Sequence, residues 1–123
     1  MILADTSVWI DHLRRNDPKL AEKLDANQVL THPFVVGEIA LGSLRQRQTI
    51  LAALQDLPQA AVATHPEVLR FIDEHALHGK GIGYVDAHLL AACRLTPGAS
   101  LWTRDKTLGG MASQLGLAPD ASR

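Results

Sequence analysis

The chain has 123 residues, 46% of them hydrophobic, which predicts one globular domain over residues 1–123 with a substantial apolar core. Its 12 basic and 13 acidic side chains give a formal charge of −1, which argues against a broad basic groove for nucleic acid. No apolar run reaches the ~20 residues of a membrane span. Asp5 also interrupts the N-terminal apolar segment too early for a secretory signal, so we expect a cytoplasmic protein without a membrane segment.

Strand and helix patterns alternate along the chain. In chain order, the periodicity predicts strand MILA, helices TSVWIDHLRR and DPKLAEKLDA, strand QVLTH, helices PFVVGEIALGSL and RQTILAALQDL, strand AAVA, helices PEVLRFIDEHAL and VDAHLLAACRL, and strand SLWT. The chain closes with RDKTLGGMASQLG and a short apolar stretch, LAP. In the second helix, Asp17 is the predicted N-cap and Pro18 the first helical residue. The alternation predicts an α/β fold with a mainly parallel sheet covered by helices on both faces.

Cysteine and histidine give no sign of a soft metal site. The single cysteine, Cys93, lies in the apolar segment LLAACRL and is predicted to be a buried, inert thiol. The six histidines show no paired zinc-finger or HExxH spacing, so solvated or helix-capping roles are expected for them.

Four acidic residues lie where a parallel α/β sheet builds its ligand site, beyond the carboxyl ends of the strands. Asp5 ends the first strand and Asp105 follows SLWT, although both positions also suit a plain helix N-cap. Asp86 is in the first turn of a helix after the glycine-rich HGKGIGY, where the helix dipole alone would favour it. Glu38 has apolar neighbours on both sides in VVGEIALG, which predicts a sheltered carboxylate.

These four carboxylates would repel one another at a shared crevice. At ~4 Å and an effective dielectric constant near 20, each like-charged pair costs on the order of 4 kcal/mol. Protonation with raised pKa values would relieve the repulsion, and so would a hard divalent cation with oxygen ligands. Because no cysteine or histidine cluster is present, Mg²⁺ or Mn²⁺ is the natural cation. Such an ion activates a bound water and stabilises charge on phosphate oxygens.

The segments DTSVWID, GEIALG, GKGIGYVDAHLLAA and LWTRDKTL occur in this order and span most of the chain. Together they resemble the motifs of PIN-domain ribonucleases, specifically the VapC-like toxins of bacterial type II toxin–antitoxin modules. The resemblance implies a three-layer α/β/α sandwich with a five-stranded parallel sheet, metal-dependent endonucleolytic cleavage of RNA, a homodimer and a small cognate antitoxin. The sequence departs from the family at Thr107 and Leu108, where many members have an acidic residue and an aromatic one.

The resemblance also implies roles for individual residues. Asp5 and Asp86 fall on the positions of the principal metal ligands, and Asp105 and Glu38 complete the acidic cluster. Three hydroxyl residues fall on positions that order the site, with the first two capping the first helix and orienting the Asp5 carboxylate: Thr6, Ser7 and Thr103.

Basic side chains beside the acidic motifs are candidates for gripping RNA phosphates. If four carboxylates bind a cation, the remaining chain carries more basic than acidic groups, which leaves a modest basic surface. Ordinary solvated charges are the alternative interpretation. The candidates are Arg45, Arg47, Lys80, Arg104 and Lys106.

Two other functions compete with this interpretation. A phosphatase of the haloacid dehalogenase type also has an aspartate after its first strand, but it needs a second aspartate two residues later, where this chain has Ser7. A non-catalytic metal- or nucleotide-binding signalling module is the other alternative, although GKGIGY fits neither GxGxxG nor GxxxxGK[ST]. Trp9 is a candidate either for a partner surface or for core packing.

Overall fold

The computed structural model describes residues 1–119, which form three strands and seven helices. The strands are β1 (Ile2–Ala4), β2 (Val29–Leu30) and β3 (Ser100–Trp102). The helices are α1 (Thr6–Arg15), α2 (Pro18–Asp25), α3 (Pro33–Ala40), α4 (Arg47–Gln55), α5 (His65–Glu74), α6 (Tyr84–Leu95) and α7 (Lys106–Gln114).

The sheet is parallel, with β1 between β2 and β3. Ile2 aligns with Val29 on one side and with Ser100 on the other. Leu3 and Ala4 of the central strand have no solvent exposure. Because all three strands run in the same direction, their carboxyl ends meet at one edge, directly before Asp5. The predicted α/β fold with a parallel sheet is confirmed.

The prediction of five strands is wrong for residues 1–119, which contain three. A segment on each side adds only isolated backbone hydrogen bonds: Thr31 N–H donates to Pro58 at 2.8 Å, and Leu101 N–H donates to Leu117 at 2.7 Å. The predicted strand AAVA is irregular, and the pairing falls at Gln59 instead. Proline lacks the N–H that a ladder needs, so Pro58 and Pro119 limit how far these edge segments can pair.

Local capping explains most helix boundaries. Helix α1 has the predicted bounds, and Asp17 caps α2 by accepting two backbone N–H bonds, as predicted. Helix α5 begins one residue before the predicted start because Thr64 forms a capping box with its third helical residue. Helix α3 ends at Ala40 rather than at the predicted Leu44, since Gly42 closes a tight turn onto the preceding helix and glycine disfavours helix interiors.

The core confirms the cysteine prediction and corrects the histidine prediction in part. Cys93 is buried, and burial raises its pKa to about 12, so the thiol stays protonated and inert at neutral pH. His32 caps α3 by accepting from Phe34 N–H at 3.1 Å, one of the predicted roles. His32 and His88 are buried rather than solvated. Burial, together with the charge of His88, lowers the His32 pKa to about 4, which keeps the ring neutral.

Trp9 is only 4% exposed, so its role is core packing and not a partner surface. It belongs to an apolar core that joins the sheet to the helices around it. Among residues 1–119, no helix is long and apolar enough to cross a bilayer.

Candidate active site

The Asp5 carboxylate is fixed at the carboxyl edge of the sheet. Its Oδ1 accepts from Ser7 Oγ at 2.5 Å and from Val8 N–H at 3.3 Å, and its Oδ2 accepts from Thr103 Oγ1 at 2.5 Å. Its own N–H donates to the Trp102 carbonyl at 3.0 Å. The side chain is 7% exposed. A buried carboxylate that accepts several hydrogen bonds stays in one orientation, so the ends of β1 and β3 together hold this group in place.

The loop after β3 extends this network. The Asp105 N–H donates to Thr103 Oγ1 at 3.0 Å, and the Arg104 N–H donates to Ser7 Oγ at 2.9 Å. Asp105 is exposed, and its Oδ1 accepts from Leu108 N–H at 2.9 Å, which caps α7. Asp105 and Asp5 are therefore both helix caps, and capping leaves one oxygen of the Asp105 carboxylate available to the crevice.

Glu38 and Thr6 lie differently from the sequence expectation. Glu38 is exposed on α3 and is not sheltered, because its neighbours Val35 and Ile39 are buried on the other side of the helix. Thr6 Oγ1 donates to Glu38 Oε1 at 2.6 Å. Thr6 thus orients Glu38 rather than Asp5, and it links the first turn of α1 to α3.

The pKa of Asp86 depends on the charges of the other three predicted carboxylates. Asp86 is half-buried in the first turn of α6, and its Oδ2 accepts from Gly83 N–H at 3.2 Å. Burial raises the pKa of Asp86, the Gly83 hydrogen bond opposes that rise, and the charges of Asp105, Asp5 and Glu38 raise it further. The four predicted carboxylates therefore share one electrostatic environment at the carboxyl edge of the sheet.

The four carboxylates are suitable ligands for a hard divalent cation, but as they stand they do not form a complete metal site. Each carboxylate accepts from its own donors: two hydroxyls and a backbone N–H for Asp5, one hydroxyl for Glu38, and one backbone N–H each for Asp86 and Asp105. Within residues 1–119, no three histidine, cysteine, aspartate or glutamate side chains lie close enough together to hold a metal ion. All four donors are carboxylate oxygens, the ligands that Mg²⁺ and Mn²⁺ prefer. The chemistry of the four side chains therefore fits such a cation.

Comparison with known proteins places the chain in a family. A family model described as PIN domain matches residues 2–113. The chain belongs to the PIN domain family. It is 49% identical over 118 residues to the protein named Ribonuclease VapC32 of Mycobacterium tuberculosis strain CDC 1551 / Oshkosh, covering 96% of this chain and 95% of the relative. The match to the protein of the same name from strain ATCC 25618 / H37Rv has the same identity and coverage. The resemblance to VapC-like PIN proteins is confirmed.

Arg104 of this PIN domain is already paired with acidic side chains. Its Nε lies 3.1 Å from Asp11 Oδ2, its Nη2 pairs with Asp17 Oδ2, and its guanidinium lies 5.3 Å from the Trp102 ring centroid. The pairing with Asp17 joins residues 87 positions apart, and the local sequence predicts only a helix cap at Asp17. Nothing in the local pattern predicts such a tertiary pair.

The other predicted phosphate contacts of the PIN domain differ in their surroundings. Arg47 donates two hydrogen bonds to the Ala40 carbonyl, at 3.1 and 3.0 Å, and so closes the turn after α3. The remaining three are exposed, and in the described part of the chain none of them forms an ion pair: Arg45, Lys80 and Lys106.

Proposed function

We propose that this PIN domain is a Mg²⁺-dependent endoribonuclease, with Mn²⁺ as a substitute, that acts in the cytoplasm as the toxin of a type II toxin–antitoxin module. The observation that carries the proposal is the hydrogen-bond network that fixes Asp5 and Asp105 at the carboxyl edge of the sheet, where their charges, with that of Glu38, raise the pKa of Asp86. The name of the relative, Ribonuclease VapC32, supports RNA as the substrate. A small cognate antitoxin and a second copy of the chain are the expected partners.

In this proposal, Asp5 and Asp86 are the principal metal ligands, and Asp105 and Glu38 complete the acidic cluster. When bound, the ion supplies an activated water and stabilises charge on the phosphate that is cleaved. Ser7 donates to one oxygen of Asp5 and Thr103 donates to the other, and these two hydrogen bonds fix the orientation of the carboxylate. Thr6 does the same for one oxygen of Glu38, and the Gly83 N–H does so for Asp86.

The basic residues bind the RNA backbone in this proposal. Phosphate contacts position a nucleic acid without reading its sequence. Lys106 follows Asp105 directly at the start of α7, and Lys80 lies in the glycine-rich segment before α6. Arg45 is exposed after α3, whereas the charge of Arg104 is already shared with Asp11 and Asp17.

The hydroxyl contacts of Ser7 argue against a phosphatase of the haloacid dehalogenase type. That chemistry needs a proton donor two residues after the first aspartate. Ser7 instead donates to Asp5 and accepts from the Arg104 N–H. It is therefore a positioning group and not a general acid.

The experiment that tests the proposal is RNA cleavage by Asp5→Asn. Asparagine has nearly the same shape and keeps one of the two acceptor oxygens, so the variant should fold, but it loses the charge that a cation requires. We expect purified wild-type protein to cleave RNA with Mg²⁺ or Mn²⁺, and the variant to be slower by about 100-fold or more. Asp25→Asn, an exposed aspartate at the end of α2, is the matched control and should match wild type. Folded wild-type protein that cleaves no RNA in either metal would refute the proposal.

The toxin role has its own test. Induced expression of the wild-type chain should arrest bacterial growth, and Asp5→Asn should not. Co-expression of a small protein encoded beside the gene should restore growth and co-purify with the chain. Unimpaired growth at high wild-type expression would contradict a toxin role while leaving the nuclease activity to be judged by the cleavage assay.

A further inference from the structure

Four rings form a continuous row that joins the beginnings of α5, α6 and α3. We call this set the aromatic row: His65, Tyr84, His88 and Phe34. Tyr84 Oη lies 2.5 Å from His65 Nδ1, and the Tyr84 ring meets the His88 ring at 4.6 Å between centroids and at 88°. The Phe34 ring packs on the other side against His88 at 4.5 Å and 62°. These edge-to-face distances are in the favourable range for aromatic pairs.

Burial changes along the aromatic row. His88 is 4% exposed and anchors the row in the core, whereas Tyr84 is 44% exposed. Within residues 1–119, Tyr84 is the only exposed phenylalanine, tyrosine or tryptophan. The Tyr84 side chain is held by the hydrogen bond to His65 on one side and by the perpendicular His88 ring on the other. Tyr84 is thus a large aromatic surface held at the solvent boundary, and little conformational entropy remains to be lost when something stacks on it.

The aromatic row adjoins the acidic site through two helices. Tyr84 and Asp86 are the first and third residues of α6, and Phe34 lies one turn before Glu38 on α3. Residues one turn apart lie on the same face of a helix, so Phe34 and Glu38 share a face. The Asp86 carboxylate also turns back to accept from the N–H of Gly83, the residue before Tyr84, so Tyr84 and this carboxylate lie at the same end of α6.

We propose that Tyr84 is a stacking platform for an unpaired base of the RNA bound at the acidic site, with the perpendicular His88 ring fixing the orientation of its ring. The inference rests on the proposed ribonuclease function. Every base has a π-face, so stacking on tyrosine recognises single-stranded RNA without strict sequence choice. Bases inside a duplex are already stacked on each other, so Tyr84 selects unpaired segments. Lys80, an exposed cation four residues earlier, is the candidate for contacting the backbone of the same strand.

The competing role for Tyr84 is structural, because its hydroxyl also ties α6 to α5 through His65. Two variants separate the roles. Tyr84→Phe keeps the ring and removes the hydroxyl, whereas Tyr84→Ala removes both. The matched control is Leu95→Ala, which truncates a side chain of similar exposure, 47%, at the other end of α6.

The test measures binding of a single-stranded RNA oligonucleotide series in which one 2-aminopurine is moved along the strand. All proteins carry Asp5→Asn to prevent cleavage, and circular dichroism checks their folding. We expect one probe position to be quenched on binding. Tyr84→Ala should lose this quenching and bind roughly tenfold more weakly, while Tyr84→Phe and Leu95→Ala stay within about twofold of their parent. Blunt duplex RNA should bind equally to all four.

Two results would overturn the inference. Equal binding and quenching by Tyr84→Ala would show that no base stacks on this ring. An equal loss in Tyr84→Phe and Tyr84→Ala would assign Tyr84 to the link between α5 and α6. In either case, cleavage by the protein with native Asp5 would leave the ribonuclease function standing. Failure of that protein both to bind and to cleave RNA would refute the proposed function, and the stacking role with it.

Discussion

Thr103 donates its hydroxyl hydrogen to Asp5 Oδ2 at 2.5 Å, across 98 residues of sequence. Thr103 Oγ1 also accepts from the Asp105 N–H at 3.0 Å, so the Thr103 side chain contacts two residues of the acidic cluster. The contact also joins the ends of β1 and β3, the two strands from which these aspartates emerge. The positions of Asp5 and Asp105 therefore depend on an uncharged residue, Thr103.

Thr103→Val should weaken both the fold and the metal site. Valine keeps the shape of threonine but leaves the buried Asp5 carboxylate with one donor fewer, at a cost of about 1–3 kcal/mol in the free energy of unfolding. Loss of such an orienting partner lowers metal affinity by roughly 10- to 100-fold. Urea denaturation and Mn²⁺ titration measure the two effects.

The matched control for Thr103→Val is Thr49→Val, which removes an exposed hydroxyl on α4 and should change stability by less than about 0.5 kcal/mol. Unchanged Mn²⁺ affinity in Thr103→Val, with a normal response from the control, would show that Thr103 does not position the site.

Asp86→Asn should stabilise the metal-free protein at neutral pH. Burial and the neighbouring carboxylates raise the pKa of Asp86 above its usual 3.8, so the charged form is disfavoured in the folded state. A raised folded-state pKa contributes stability that is complete below the unfolded pKa and is lost as pH rises through the folded pKa. The advantage of the asparagine variant in thermal melts with chelator should therefore grow as pH rises from about 4 to 7.

The same repulsion predicts how Mg²⁺ changes the melting temperature. Mg²⁺ should raise the melting temperature of the wild type at pH 7 and should raise that of Asp86→Asn much less, because the cation offsets the repulsion that the variant lacks. Asp73→Asn, an exposed aspartate on α5, is the control and should follow the wild type. A variant whose melting temperature is below that of the wild type at every pH would contradict the repulsion argument.

The residues that local sequence patterns determine were predicted well. Asp5 follows an apolar strand and precedes an apolar helical face, so one short segment specifies the strand end, the helix start and the cap. Asp17 caps α2 for the same reason. Asp86 was placed in a first helical turn because a glycine-rich segment precedes a strongly apolar helix. Each of these inferences needs only neighbours within a few residues.

The features that the sequence did not predict depend on residues that are far apart in the chain. The apolar neighbours of Glu38 suggested shelter, but α3 turns that residue outward, towards Thr6. The number of strands depends on how many residues of the edge segments pair with the sheet. The apolar content of a segment does not determine that pairing. The pairing of Arg104 with Asp17 requires α2 and the loop after β3 to meet, and that follows only from the packed fold.

Asp17→Ala should destabilise the protein more than Asp11→Ala, although both remove a carboxylate from Arg104. Asp17 also caps α2 through the Lys19 and Leu20 amides, and loss of such a cap costs about 0.5–2 kcal/mol. Asp11 is 54% exposed in its pair with Arg104, and exposed pairs contribute at most about 1 kcal/mol. Urea denaturation of the two variants at pH 7 measures the difference.

The pH dependence of Asp17→Ala has a definite sign. Burial acts to raise the pKa of Asp17, but the Leu20 and Lys19 amides and the Arg104 guanidinium outweigh it, and the pKa is lowered from 3.8. The stability from Asp17 is therefore present above pH 3.8 and is lost as pH falls through the lower folded pKa. A destabilisation by Asp17→Ala that stays constant down to the acid transition would contradict this account.

Lys106→Ala should reduce the salt dependence of RNA binding more than Arg104→Ala does. Each phosphate contact contributes about 0.7 to the slope of log affinity against log salt for a single strand. Lys106 is exposed beside Asp105, whereas the Arg104 guanidinium is already compensated by Asp11 and Asp17. Fluorescence anisotropy of labelled single-stranded RNA over a salt series measures both slopes in the Asp5→Asn background. Arg70→Ala, an exposed arginine on α5, should leave the slope unchanged. An equal reduction by Arg104→Ala would instead show that Arg104 exchanges its carboxylate partners for an RNA phosphate.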